Sequence, residues 1–600
     1  MSATFTTRPE IRGTFGVATS THWIASAVGM AALEKGGTAA DAAAAMGFTL
    51  QVVEPHLNGP LGDMPALVRA AGEDAPRVIC GQGVAPAGAT IEHLRAEGLD
   101  MVPGAGLLAA VVPGAFDAWM LILRDHGRLS LREALEPAIH YARAGCPALP
   151  RVASTIAGLA EFFREEWPTS YETWAPGGVA PAPHALMRNP VLADAWERFL
   201  AEAAAATRRE AQIEAARRAF YEGFVAEAID AYLRDACVMD AAGGRRRGVM
   251  TGDDLARWRA SEEAPVSVDY EGWTVWKCGP WSQGPSLLQS LRTLEGSGVA
   301  EADPTGPAFV HGVTEAMKLS FADREAYYGD PDHAAVPIER LLSREYAAAR
   351  RVLIGAEASR DLRPGEIEGL EAQAAAAKAR FAAAAEAGAA AGPGAGEPTM
   401  AHLAERRGDT VHIDVIDRWG NMISATPSGG WLQSSPVVPG LGMPLSTRAQ
   451  MFRLEPGAPD ALAPGRRPRT TLSPSMAEGP DGEALAFGTP GGDQQDQWQL
   501  IFLLRRIHHG PNLQEAIDAP LFHTAHFPSS FHPRAARPGH LMAEPAFGEA
   551  TLAALRARGH EVEAAEPWTV GRLTAAARGA DGTLRAAATP RLMQAYAVGR

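Results

Sequence analysis

Hydrophobic and polar positions alternate most clearly between residues 410 and 426. Val411, Ile413 and Val415 take turns with His412 and Asp414, which predicts a strand with one buried face. Asp417-Arg418-Trp419-Gly420-Asn421 is turn-forming. Met422-Ile423-Ser424-Ala425-Thr426 predicts a second extended run, stopped by Pro427. Longer periods govern the rest of the chain. Trp23 to Leu33 and Thr38 to about Leu50 predict two helices around a Gly36-Gly37 stop. Ala66-Leu67-Val68, Val78-Ile79-Cys80 and Trp273-Thr274-Val275-Trp276 predict strands. Val112-Pro113-Gly114-Ala115 opens a helix through Leu123, and Leu131 to about Asp235 is mostly helical, broken at Pro147, Pro168 and Pro190. Residues 308–328 predict one long helix. Near the end, the strand Ala484-Leu485-Ala486-Phe487 runs through Gly488-Thr489-Pro490-Gly491-Gly492 into a helix over Asp493–Arg506. No internal repeat is evident.

Composition changes the picture at one place. From about Glu371 to Ala395 nearly every residue is Ala, Gly, Glu, Lys or Arg, and Gly392-Pro393-Gly394-Ala395-Gly396 follows. Alanine favours helix, whereas glycine and proline oppose it. The expectation is a frayed helix running into a flexible linker, about 371–407, that stops just before Gly408.

Charge and cysteine usage then exclude several functions. The net charge is -15, and Arg245-Arg246-Arg247 and Arg466-Arg467 are too short to track phosphates, so no nucleic-acid partner is expected. Cys80, Cys146, Cys237 and Cys278 form no Cys-x-x-Cys pair and have no histidine at zinc-ligand spacing. They read as reduced, buried residues. The first residues lack an uninterrupted apolar stretch, and no run is long enough to span a membrane. A cytoplasmic protein without membrane, metal or cofactor is expected.

Candidate chemistry gathers around the central strand pair. Thr410 stands at the start of a strand, behind the segment expected to be flexible. If the chain is cut before it, its freed amine can serve as base for its own hydroxyl. A plain strand threonine is the other reading of these residues. Ser428, followed by Gly429-Gly430, is either a turn serine or a hydroxyl that holds the freed amine of Thr410. Pro490-Gly491-Gly492-Asp493 joins a strand to a helix. Its backbone N–H groups can face an oxyanion, or its glycines can serve a tight connection alone. Thr470-Thr471-Leu472-Ser473 places three hydroxyls in one loop. No Gly-x-Ser-x-Gly elbow, phosphate-binding loop, dinucleotide fingerprint or His-Glu-x-x-His is present in a suitable context.

Taken together, these residues resemble the γ-glutamyltransferase family of N-terminal nucleophile hydrolases, from about Gly16 to Tyr596. The resemblance rests on Glu34-Lys35-Gly36-Gly37-Thr38-Ala39-Ala40-Asp41-Ala42, on Gly248 to Trp273, and on Glu315-Ala316-Met317-Lys318 with Ala322-Asp323-Arg324 and Gly329-Asp330-Pro331. It continues at Thr410, Asp417, Gly420-Asn421, Pro464-Gly465-Arg466-Arg467-Pro468, Ser473-Pro474 and Gly488-Thr489-Pro490-Gly491-Gly492. It implies an α/β protein, a four-layer αββα sandwich made as a proenzyme. Cleavage between Asp409 and Thr410 would leave a large subunit, 1–409, and a small catalytic one, 410–600. Thr410 would then attack a small-molecule amide, Gly491 and Gly492 would stabilise the oxyanion, and the acyl-enzyme would pass to water or an amine.

The departures concern the substrate. Gln82 falls near the position of the family's carboxylate-gripping arginine. Gly430, Arg448 and Met451 fall near the residues that hold an α-amino group, and none keeps that chemistry. Thr470 and Thr471 stand where a serine pair contacts the carboxylate, and they keep hydroxyls. The loop from Phe452 to Pro464 is shorter than the family's lid. The implied activity is therefore on a γ-glutamyl compound such as glutathione or on a related small acyl amide. An oxamate amidohydrolase-like or glutaryl/cephalosporin acylase-like activity, or a non-catalytic binding protein on the same scaffold, are the alternatives.

Overall fold

The computed structural model describes residues 5–390 and 410–600. The chain opens with β1 (Ile11–Gly13) and β2 (Gly16–Ser20), followed by α1 (Trp23–Glu34) and α2 (Ala39–Val53). Thr38 and Asp41 exchange a capping box that starts α2. Next come β3 (Met64–Arg69), β4 (Arg77–Gly81) and α3 (Ala115–His126). After a mostly helical stretch the chain forms β5 (Ser261–Glu263), β6 (Val266–Tyr270) and β7 (Trp273–Lys277). Among the helices that complete the part before Thr410 are α4 (Pro285–Leu294), α5 (Pro307–Tyr327) and α6 (Glu371–Ala390). Beyond it lie β8 (Ile413–Asp417), β9 (Met422–Ala425), β10 (Ser475–Glu478) and β11 (Ala484–Gly488). Then follow α7 (Gln495–His509), β12 (Thr574–Arg578), β13 (Leu584–Ala588) and β14 (Tyr596–Gly599).

These strands build two seven-stranded sheets, one ordered β14-β2-β8-β9-β3-β4-β5 and the other β1-β13-β12-β11-β10-β7-β6. Every ladder within them is antiparallel. The side-chain period of two explains the layers. Ile413 and Val415 of β8 join a core with α2 and α3, while Ile416 points the other way, into a core with Trp276, Met476 and Ala576 between the sheets. Leu485 and Phe487 of β11 face a third core with α4, α5 and α7. The order is helix, sheet, sheet, helix, the αββα sandwich that was expected.

Three expectations need correction. β8 is buried on both faces, because the second sheet covers the side that carries Asp414. The alanine-rich segment does not fray over its first part. Residues 371–390 form α6, which buries Ala374, Ala377 and Phe381 against the core around α5. Its alanines supply a smooth face that packs closely, and Ala536 N–H donates to Ala384 O at 3.0 Å. Residues 391–409, with Asp409 and the rest of the expected linker, lie outside the described residues. All four cysteines are free, but Cys237 is exposed rather than buried.

Candidate active site

Thr410 is fully buried and lies three residues ahead of the regular part of β8. It forms an isolated bridge with Ser428, and the two Oγ atoms are 3.2 Å apart. Val411 N–H donates to Pro427 O at 3.0 Å, which fixes the backbone beside it. Ser428 is itself clamped by Asp63: Asp63 N–H donates to Ser428 O at 2.7 Å, and Ser428 N–H donates to Asp63 O at 2.9 Å. Gly62 permits this approach, since a Cβ there would lie 2.2 Å from Ser428 O. A glycine-bearing loop ahead of β3 thus meets the turn after β9 at the threonine.

A buried polar network fixes the start of β8. His412 Nδ1 pairs with Thr426 Oγ1 and Nε2 with Asp414 Oδ1, both at 2.9 Å. Asp414 also accepts from Ser424 at 2.9 Å, from Thr574 of the opposite sheet at 2.7 Å and from Thr19 at 3.2 Å. A buried carboxylate with this many donors is satisfied, and the network locks the two sheets in register behind Thr410.

The Gly491-Gly492 turn is brought to the same end of the sandwich. β11 ends at Gly488, whose missing side chain makes room for the His412 ring; a Cβ would lie 2.1 Å from Cε1. Gly491 has φ +129° and Gly492 φ +56°, both in the glycine-favouring region. A single 3-10 turn, Gly492–Gln494, then feeds α7. Gln283 Nε2 donates to Gly492 O at 3.1 Å and orients that peptide. The neighbouring Asp493 accepts Ser530 N–H at 2.9 Å and Ser530 Oγ at 2.6 Å.

The Thr470-Thr471 loop is tied to this turn through charges. Arg469 donates to Ser530 Oγ at 3.0 Å and to Glu325 Oε1 at 2.7 Å. Glu325, on α5, also binds Arg324 at 3.0 Å and Arg453. Burial pushes the Glu325 carboxyl up, but the guanidinium groups of Arg469, Arg453 and Arg324 outweigh it and hold the group well below the usual range. Lys277 is buried beside the same loop and binds Asp496 at 2.9 Å, Ser475 Oγ at 2.7 Å and Ser473 O at 3.2 Å. Thr470 Oγ1 accepts from Leu472 N–H at 3.3 Å and so serves its own loop, whereas the buried Thr471 Oγ1 has no partner.

Gln82 and Arg448 meet through Asp63. Asp63 Oδ2 accepts from Arg448 Nε and from Ser446 Oγ, both at 3.0 Å, and Oδ1 accepts from Gln82 Nε2 at 3.3 Å. Arg448 is therefore paired with a buried carboxylate. Its Cζ lies 5.2 Å from the Trp431 ring centroid, and Trp431, Met451 and Phe531 form a small buried apolar cluster. Arg448 Nη2 and Gln82 Oε1 remain buried without partners. The loop from Phe452 to Pro464 is short and closed, with Leu462 N–H donating to Arg453 O at 2.8 Å.

Sequence reasoning missed Asp63, Gln283, Glu325, Lys277 and Ser530. Only Asp63 carried a signal, an acid placed directly after the Gly59-Pro60-Leu61-Gly62 loop. One group of described residues has metal-ligand spacing: His311, Glu315 and His560. Glu315 already binds Lys318 at 2.7 Å and Arg363 at 2.8 Å, and these cations oppose a metal ion. Among the described residues, no helix is long and apolar enough to cross a membrane.

Comparison with known proteins supplies the context for this geometry. The chain matches the gamma-glutamyltranspeptidase family over residues 25–599. It is similar to the solved structure of LmbA2991HD, with 52% identity, a TM-score of 0.92 and 100% of each chain covered. It is 30% identical over 516 residues to the glutathione hydrolase-like YwrD proenzyme of Bacillus subtilis, covering 85% of each chain. The oxamate amidohydrolase proenzyme of Klebsiella pneumoniae is also 30% identical, over 96% of this chain and 97% of that one.

Proposed function

The chain belongs to the gamma-glutamyltranspeptidase family of autoprocessed N-terminal nucleophile hydrolases, and we propose that Thr410 is both its processing residue and its nucleophile. The observation that carries this is the buried Thr410–Ser428 hydroxyl contact of 3.2 Å at the head of β8. In this reading Thr410 Oγ attacks the carbonyl of Asp409, the Asp409–Thr410 C–N bond breaks, and the released amine takes the hydroxyl proton. Hydrolysis of the resulting ester leaves a carboxylate on 1–409 and a free amine on 410–600. That amine takes the proton of its own hydroxyl, which attacks the substrate amide, and Ser428 holds the amine in place. The N–H groups of Gly491 and Gly492 stabilise the tetrahedral oxyanion. The leaving amine departs with a proton, and water or an acceptor amine takes the acyl group.

The substrate is a small acyl amide. A γ-glutamyl group brings an ammonium as well as a carboxylate, and each needs a partner when buried. Gln82, Gly430 and Met451 offer an ammonium no charge, and the Asp63 carboxylate beside them is already paired with Arg448. The acyl part best suited to this site therefore lacks an α-amino group and places a carboxylate or a neutral acid amide near Arg448 and Thr471. Oxamate-type and glutaryl amides fit that description. Four free cysteines fit a reducing compartment, so the cytoplasm is the proposed location. The test is the ratio of kcat/KM for glutaryl-p-nitroanilide over γ-glutamyl-p-nitroanilide, since discrimination lies in that ratio. It should exceed one, and Arg448→Ala should lower it. A strong γ-glutamyl preference that Arg448→Ala leaves untouched would contradict the substrate reading while sparing Thr410.

A further inference from the structure

Asp63 belongs to the part of the chain before Thr410, yet it bonds to Gln82, Ser446, Arg448 and Ser428 together. Its backbone clamps Ser428 in both directions. Its carboxylate takes the Nε edge of Arg448, the Ser446 hydroxyl and the Gln82 amide. Arg448 and Asp63 are both fully buried, so solvent does not screen the pair. What remains is one guanidinium donor, Nη2, and one amide acceptor, Gln82 Oε1, both buried and unused. Buried polar atoms of this kind are costly unless something fills their valence. The set asks for an acceptor and a donor together with no net charge.

We infer that Asp63 sets the acyl-group selectivity of the site: while it is ionised, the pocket takes a neutral acyl terminus such as a primary amide, and it takes a carboxylate only with uptake of a proton by Asp63. This rests on the reading that Arg448 and Gln82 border the acyl group. The electrostatics are direct. A substrate carboxylate beside an ionised Asp63 puts two negative charges against one guanidinium in a water-poor site. Protonating Asp63 removes one of them. Burial already pushes the Asp63 carboxyl up, against the pull of Arg448, the Ser446 hydroxyl and the Gly83 N–H. Among the described residues, Arg448 is the one charged side chain bonded to it; Ser446, Gln82 and the Ser428 backbone are neutral.

The experiment compares glutaryl-p-nitroanilide with its neutral counterpart, glutaramyl-p-nitroanilide, across pH. In the wild type the ratio of kcat/KM, glutaryl over glutaramyl, should rise as pH falls, because acid supplies the proton that carboxylate binding requires. In Asp63→Asn the guanidinium is no longer neutralised. The ratio at neutral pH should rise roughly tenfold or more and lose its pH dependence, as expected when a charge partner in a specificity pocket is changed. A purely structural Asp63 would lower both activities together and leave the ratio alone. A flat wild-type ratio overturns the inference even if Asp63→Asn fails to fold. If neither anilide is hydrolysed at any pH, the proposed substrate class falls and this inference with it. If both are hydrolysed and the ratio is flat, the inference falls alone.

Discussion

The proposed oxyanion turn depends on two residues that have no side chain. Gly491 packs its backbone on Trp498, where a Cβ would lie 2.4 Å from the ring, so substitution there disturbs packing as well as chemistry. Gly492 is the cleaner probe, at φ +56° and held by Gln283. Gly492→Ala keeps the N–H but adds about 1–2 kcal/mol of left-handed strain and tilts the donor. The variant should fold, and the tilted donor should lower kcat by about tenfold or more, short of the roughly hundredfold loss typical of a donor removed outright. Single-turnover acylation measures this directly; near-normal acylation would remove Gly492 from the oxyanion site. At this scale the sequence was a partial guide. The placing of Thr410 at a strand start and of Ser428 and the glycine pair in turns was legible because strand alternation and turn chemistry are local, but the choice of their proposed roles came only from the family resemblance. The Asp63–Arg448 pair was not, because nothing local joins residues 385 apart in the chain.

Among the elements, α5 acts on the candidate site through Glu325. Three arginines from α5, from the loop after Met451 and from the strand-side loop at Arg469 converge on that one carboxylate. Glu325→Gln removes the carboxylate that the three share; Arg324 keeps Asp493 and Arg453 keeps Asp460, but Arg469 loses its ion-pair partner, and the protein should be destabilised by about 3–5 kcal/mol. The pH dependence follows from a folded-state pKa below the ordinary 4.5. The ion cluster contributes fully above the unfolded pKa, and its contribution is lost as pH falls through the lower folded value. Urea denaturation of wild type and Glu325→Gln across the acid range should show the wild-type advantage shrinking toward low pH. An equal midpoint at neutral pH would contradict this role for Glu325. Most elements were legible, including the helix pair around Gly36-Gly37, the long helix α5 and the strand-to-helix turn before α7. Two-sided burial of β8 was not legible, since a polar face that bonds to a second sheet has the same alternation as one facing water.

In the whole molecule, the proposed cut at Thr410 divides the chain but not the sandwich. Strands from both sides of residue 410 interleave: β2 lies between β14 and β8 in one sheet, and β10 pairs with β7 in the other. Neither segment can leave without exposing unpaired ladders and the core between the sheets. The central claim, that Thr410 cuts the chain and then carries the chemistry, is tested most directly by mass spectrometry of the purified protein. Wild type and Thr410→Ala are compared under native and denaturing conditions, and activity is assayed on the same samples. Wild type should hold together under native conditions. Under denaturing conditions it should give two chains, the smaller beginning at Thr410. Thr410→Ala should give one uncut chain without activity. An active Thr410→Ala protein, or an active wild type that is never cut, would contradict the account.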